Sequence, residues 1–359
     1  MKNFIYEALA TRVIFGAGEI RKVQSELKNI SVKRALVIST PGQEELAIKI
    51  SSLLGDLCTG IHVKAVQHVP METVQKSVKL VSELNIDSLV PVGGGSSIGL
   101  AKAIALYTSL PIVAIPTTYA GSEMTPIWGI TENGIKKTGK DVVVKPKSVI
   151  YDPELSVNLP VRVSVTSGLN AMAHCVEGLY AENTNPIISL LAEEGIRALH
   201  SSLPSILVDK NDVVACSKAL YGCWLAGTVL GSVGMALHHK LCHVLGGSYN
   251  LPHADTHSVI LPYALWYNAA YAPDAVQAIA RSLGTEKDAV AEALFDLNTS
   301  LGGPTSLAKI GMKETDLDQA AELATKNAYY NPRSIDQQSI RQLLEYAFKG
   351  KRPEKGIEI

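Results

Sequence analysis

Short β-branched runs recur along the first part of the chain with amphipathic stretches between them, and this alternation constrains the fold more than any other feature. Arg34-Ala-Leu-Val-Ile-Ser39 reads as a strand and Glu44 to Leu54 as the helix after it. Ile61 to Val66 is a second strand, followed by a helix from Met71 to Leu84. Asp87-Ser-Leu-Val-Pro-Val92 leads through a glycine run into a helix over 97–108, and Pro111-Ile-Val-Ala-Ile115 closes the series. Strands roughly 25 residues apart with helices between them are βαβ units, which build a mostly parallel, Rossmann-like sheet.

After Asp152-Pro153 the texture changes. Apolar residues become Ala- and Leu-rich at spacings of three and four, and the segments near 164–182, 187–202, 212–231, 235–246, 256–270, 274–283, 286–300 and 334–347 read as helices. Their breaks fall at Asn185-Pro186, Leu251-Pro252, Ala272-Pro273 and Gly302-Gly303-Pro304. The expected architecture is an α/β domain over residues 1–155 and an all-helical domain over 156–359.

Charge and cysteine usage exclude several function classes. The 33 Lys+Arg against 34 Asp+Glu give a net charge of −1, with no global field for a nucleic-acid backbone or an anionic membrane. Five cysteines, odd in number and without a CxxC pair, fit a reducing compartment. No apolar run reaches the ~18 residues of a membrane span, and Glu7 and Arg12 interrupt the N-terminal apolar stretch. A soluble cytoplasmic protein is expected.

Gly93-Gly94-Gly95-Ser96-Ser97 sits where a strand ends and a helix begins. Glycines there let the backbone approach a phosphate, and the free N–H groups of the helix start supply hydrogen bonds. The pattern is neither GxGxxG nor a P-loop. Thr117, Thr118, Tyr119 and Ser122 follow the next strand, so both loops should leave the same carboxyl edge of the sheet, where ligands bind.

Of nine histidines, His238, His239, His243, His253 and His257 crowd into one short window. His239 and His243 are one helical turn apart, as are Asn170 and His174 upstream. Helices facing one another with such pairs build either a metal site or a catalytic pocket. Asn170 is a poor metal ligand, which leans the reading toward imidazoles acting as proton donors or as an electrophilic patch around an oxyanion.

These residues together resemble the iron-containing alcohol dehydrogenase superfamily and, within it, the maleylacetate reductases. The likeness spans essentially the whole chain. It is carried by Gly93 to Ser96, by Pro116 to Thr131 (PTTYAGSEMTPIWGIT), by Ser167 to Glu177 (SGLNAMAHCVE) and by Leu237 to Pro262. It implies a dehydroquinate synthase-like fold, a homodimer, and iron ligands that would be an Asp at position 170 with histidines at 174, 239 and 253. Here position 170 is Asn, so loss of the anionic ligand matches the implication that maleylacetate reductases work without a metal. Many relatives carry Asp where Thr40 stands, on the adenosine ribose, so NADH is expected as the usual donor with NADPH tolerated.

The resemblance further implies reduction of the conjugated C=C of maleylacetate, a small dicarboxylate, to 3-oxoadipate in aromatic-compound degradation. Protonated or hydrogen-bonding imidazole among His174, His239 and His253 would act as the electrophile, and His243 would donate the proton. Arg333, after the rigid Asn331-Pro332 turn, Lys240 and Lys147 are candidate cations for the substrate, with Asn170 and Tyr119 as further contacts. Rival readings are a metal-dependent alcohol or aldehyde dehydrogenase, a dehydroquinate-synthase-like lyase, and a ligand-binding protein without catalysis.

Overall fold

A computed structural model describes residues 3–8, 10–327 and 329–354. They fall into two compact units, one drawn from Ala8–Leu159 with Asn211–Leu220, the other from the described residues up to Glu7, from Pro160–Lys210 and from Tyr221 onward.

The first unit carries strands β1 (Arg12–Phe15), β2 (Ala35–Ile38), β3 (Cys58–His62), β4 (Ser88–Gly93), β5 (Val113–Pro116), β6 (Ile127–Glu132), β7 (Ile135–Lys140) and β8 (Ser148–Tyr151). Helices α1 (Val23–Asn29), α2 (Glu44–Leu54), α3 (Met71–Glu83) and α4 (Gly95–Thr108) connect the earlier strands. Six strands form one sheet in the order β1-β8-β5-β4-β2-β3, and every pairing is parallel. Val37, Val90, Val92, Ile115 and Ile150 pack with Leu27, Ile50 and Leu54 of the helices. Burial of the central strands on both faces explains why they lack the polar–apolar alternation of a half-exposed strand.

The edge strand β1, strand β8 and the antiparallel hairpin β6–β7 are additions to the elements expected from the sequence. The hairpin turns at Asn133-Gly134, both with positive φ (52° and 75°), as a two-residue primed turn requires.

The second unit is helical: α5 (Val161–Tyr180), α6 (Pro186–Val208), most of α7 (Val213–Ser232), α8 (Leu237–Tyr249), α9 (His253–Asn268), α10 (Pro273–Leu283), α11 (Val290–Ser300), α12 (Leu317–Thr325) and α13 (Gln337–Lys349). The prolines mark helix starts. Asn185 caps α6 by accepting from the N–H groups of Ile187 and Ile188, with Pro186 in its first turn. Pro273 opens α10, and Pro252 stands immediately before α9. Helix α9 therefore begins at His253, one turn earlier than the sequence suggests, so His253 and His257 share a helix face. By length and composition α7 passes as a membrane span, but Cys223, Ala226 and Val229 have no exposure, as in a core helix.

Candidate active site

Two groups of candidate residues assemble, one in each unit. In the α/β unit, Thr40 follows β2, Gly93 ends β4, Gly94 to Ser96 open α4, and Thr117, Thr118 and Ser122 follow β5. Strands β5, β4 and β2 are neighbours in the sheet, so these residues share its carboxyl edge. Gly93 adopts φ +136°, and a Cβ there would lie 2.4 Å from Gln43 Oε1 and 2.6 Å from Ser97 Oγ. A Cβ on Gly94 would lie 2.8 Å from Thr118 Cγ2, so the two loops touch only because that residue is glycine. Thr117 is tied down by its N–H to the Gly93 carbonyl (3.1 Å) and by its hydroxyl to Gln43 Nε2 (3.0 Å). Tyr119 is fully buried, which gives it a core position.

In the helical unit the histidines form two layers. His243 and His253 are exposed; His174, His238, His239 and His257 are buried. The rings of His174 and His239 lie 5.1 Å apart, those of His239 and His257 5.0 Å, and those of His253 and His257 4.3 Å. His243 stands one turn beyond His239 on α8, with its ring nearly perpendicular at 6.3 Å.

Glu177 organises the buried layer. Its carboxylate is fully buried beside the start of α8, where Oε1 accepts from the His238 backbone N–H (2.7 Å) and Oε2 from His239 Nδ1 (2.5 Å). That bond fixes the His239 ring, placing the proton on Nδ1 and leaving Nε2 as the working atom. His239 Nε2, His174 Nδ1 and Asn170 Oδ1 are buried and have no hydrogen-bond partner among the described residues. Glu177 lies three residues after His174 on α5, a spacing that could have revealed it from sequence.

Behind them His238 Nε2 meets His257 Nδ1 at 3.0 Å and Cys242 Sγ at 3.5 Å. Burial pushes the imidazoles of His174, His238 and His257 well below their ordinary range, and the neighbouring histidines add to the fall. His174 is therefore neutral at physiological pH. Of the two expected forms, protonated or hydrogen-bonding, burial favours the neutral hydrogen-bonding one at His174. Burial also raises the Cys242 thiol, with Glu177 contributing, which keeps it a thiol.

Of the three candidate cations, Lys147 is exposed in the α/β unit, and the other two have partners within the helical unit. Lys240 Nζ donates to the Lys326 carbonyl (2.9 Å) and lies 5.4 Å from the centre of the Tyr329 ring. The Arg333 guanidinium stacks on Tyr267 at 4.1 Å, beside an amide pair in which Asn331 and Asn268 bond reciprocally at 2.7 and 2.9 Å.

Comparison with known proteins decides the family. The model for "Iron-containing alcohol dehydrogenase" matches residues 10–153, and that for "Fe-containing alcohol dehydrogenase family, C-terminal" matches residues 164–348. The chain belongs to the iron-containing alcohol dehydrogenase family. Its relatives include maleylacetate reductase from Pseudomonas sp. (strain P51), 53% identical, with 98% of this chain and 99% of the relative covered. Another is maleylacetate reductase from Burkholderia cepacia, 51% identical, with 98% and 100% covered. The crystal structure of maleylacetate reductase from Agrobacterium tumefaciens superposes with a TM-score of 0.94 at 48% identity, covering 98% of this chain and 100% of that one. Within the iron-containing alcohol dehydrogenase family the chain is thus an oxidoreductase of the maleylacetate reductase group.

The family name raises iron, and the residues can be tested against it. The buried lone pairs of Asn170, His174 and His239 are of the donor types that hold a divalent ion, and exposed His253 adds a fourth. The set fits in donor type but carries no charge. Asn170 offers an amide where a carboxylate would neutralise a dication, and Glu177 is committed to His238 and His239.

Proposed function

We propose that the chain reduces the conjugated C=C of maleylacetate to 3-oxoadipate, with NADH as the usual hydride donor and NADPH tolerated, and without a metal. The observation that carries this reading is the buried set of Asn170, His174 and His239, which has no acidic member and in which Glu177 orients His239. The edge formed by Gly93 to Ser96, Thr117, Thr118 and Ser122 supports binding of the dinucleotide phosphates. Thr40, which carries no negative charge, leaves room for a 2′-phosphate.

Hydride from the nicotinamide adds to the carbon β to the ketone. Charge then builds on the ketone oxygen as an enolate, and the α carbon takes a proton, so that NADH and one proton are consumed per substrate. His174 as a neutral N–H donor, and His239 once Nε2 carries a proton backed by the Glu177 carboxylate, stabilise the enolate oxygen. Exposed His243 exchanges protons with solvent and delivers one to the α carbon, a contribution of about 10²–10⁴-fold. Arg333 grips a substrate carboxylate through the guanidinium edge, while its face rests on Tyr267. A divalent ion bound by Asn170, His174, His239 and His253 would polarise the same ketone oxygen.

Isotope transfer tests the reading. Deuterium from [4-²H]NADH should appear in 3-oxoadipate on the carbon β to the ketone. Deuterium on a carbinol carbon would mean carbonyl reduction and would favour the alcohol dehydrogenase alternative.

A further inference from the structure

The loop after β5 is folded around a lysine that plays no part in this chemistry. Lys102 lies on α4 and is 1% exposed. Its Nζ is 2.6 Å from the Ser122 carbonyl, 2.8 Å from the Thr125 carbonyl, 2.9 Å from Thr125 Oγ1 and 2.9 Å from the Ile127 carbonyl. All these partners are oxygens. A neutral amine would turn its lone pair toward one of them, whereas an ammonium has three N–H donors and no lone pair, so the cage suits the charged form. Burial pulls the group down to about 7, opposed by the Glu123 carboxylate in the same loop, while Lys145 adds to the fall. Glu123 is itself fully buried and accepts from the Tyr151 hydroxyl at 2.7 Å.

Carbonyl and hydroxyl oxygens at 2.6–2.9 Å form the kind of cage that replaces the hydration shell of a large monovalent cation. The distances are too long for Mg²⁺, which needs about 2.0–2.1 Å, and at the long end or beyond the ~2.3–2.6 Å range of Ca²⁺. The loop is held at its other end by Thr117, bonded to Gly93 and Gln43. Between these anchors lie Thr118 and Ser122, with Thr118 against Gly94.

We infer that Ser122, Thr125 and Ile127 form a monovalent-cation cage which the chain fills with the ammonium of Lys102, and that this tether positions the Thr117–Ser122 loop for the dinucleotide. Lys102 is a positioning residue. Its effect on the cofactor rests on the reading of that loop as a cofactor loop; the cage itself does not.

Removing the side chain opens the cage to a free ion. In the full chain, below about pH 7, Lys102→Ala should lower the thermal midpoint and raise the Kd and KM for NADH by about tenfold or more, equivalent to about 1.4 kcal/mol. The kcat at saturating NADH should stay near wild type. Ammonium chloride or methylammonium chloride should restore both midpoint and Kd, while equal sodium chloride should not. Lys102→Met, whose side chain fills the space without a charge, should show the same defect without rescue. If Lys102→Ala is too unstable to assay, its refolding yield in ammonium against sodium chloride reads the cage directly. A midpoint or yield indifferent to ammonium overturns the cage. Rescue of the midpoint with a wild-type Kd throughout overturns the tether to the cofactor. Thr118→Val separates the underlying reading: an unchanged NADH Kd there means the loop does not bind the cofactor, whatever the ammonium result.

Discussion

Glu177 and His239 form a buried carboxylate–imidazole pair, with Oε2 at 2.5 Å from Nδ1, and the same carboxylate accepts from the first turn of α8. The helix start and the ring are thereby held by one group. Glu177→Gln keeps the shape but no longer supplies a carboxylate to orient the ring and back a proton on Nε2. The expected result is a fall in kcat of about 10²–10³-fold, with the Kd for NADH unchanged. Steady-state kinetics with an independent NADH titration checks this. A normal kcat would show that the pair is only structural.

Asn170→Asp places a carboxylate beside the lone pairs of His174 and His239. The variant should purify with close to one equivalent of divalent metal, where the parent holds well below one, because an anionic ligand offsets the charge of a dication. Metal analysis decides it. Equal metal content in both proteins would remove residue 170 from control of the site.

The buried histidines make stability depend on pH. His174, His238 and His257 have folded-state pKa values below their ordinary 6.5. Between the folded and unfolded values the unfolded chain binds protons that the folded chain does not, so stability rises with pH across that window. Stability is fully present above about pH 6.5 and is lost as pH falls, by up to about 1.4 kcal/mol per pH unit for each histidine. Thermal midpoints should be level above that pH and decline below it. A level midpoint well into acid would mean that these rings are protonated in the fold.

Arg333 owes its orientation to the stack on Tyr267. Arg333→Ala should raise the KM for maleylacetate by about tenfold or more, the loss of roughly one charge-assisted bond, and Arg333→Lys should not restore it because an ammonium lacks the planar fork. An unchanged KM would leave the arginine with its packing role alone.

Much of this was legible in the sequence, for physical reasons that also explain the rest. Strands β2, β4 and β5 are buried on both faces and so read as continuous apolar runs, whereas the edge strand β1, Arg12-Val-Ile-Phe15, is exposed at its first residue and only partly buried at two others. Strand β7 is Ile135-Lys-Lys-Thr-Gly-Lys140, exposed at nearly every position and so without an apolar alternation; the Asn133-Gly134 turn is its one sequence signal. Helix α12 has nine residues, too few for its periodicity to stand out in the sequence. The histidines stood out because helix periodicity makes i,i+4 pairs visible. The neutrality of His174 did not, because it comes from burial among distant residues. Nothing in the sequence marks Lys102, since its partners are oxygens of a loop that approaches only in the folded unit.

The most direct test is NADH oxidation by purified protein with maleylacetate or a simple aldehyde as acceptor, each with and without a strong chelator. Rapid turnover of maleylacetate, unaffected by chelator, with little or no aldehyde reduction is the expected result. Chelator-sensitive turnover of the aldehyde, with maleylacetate inert, would contradict it.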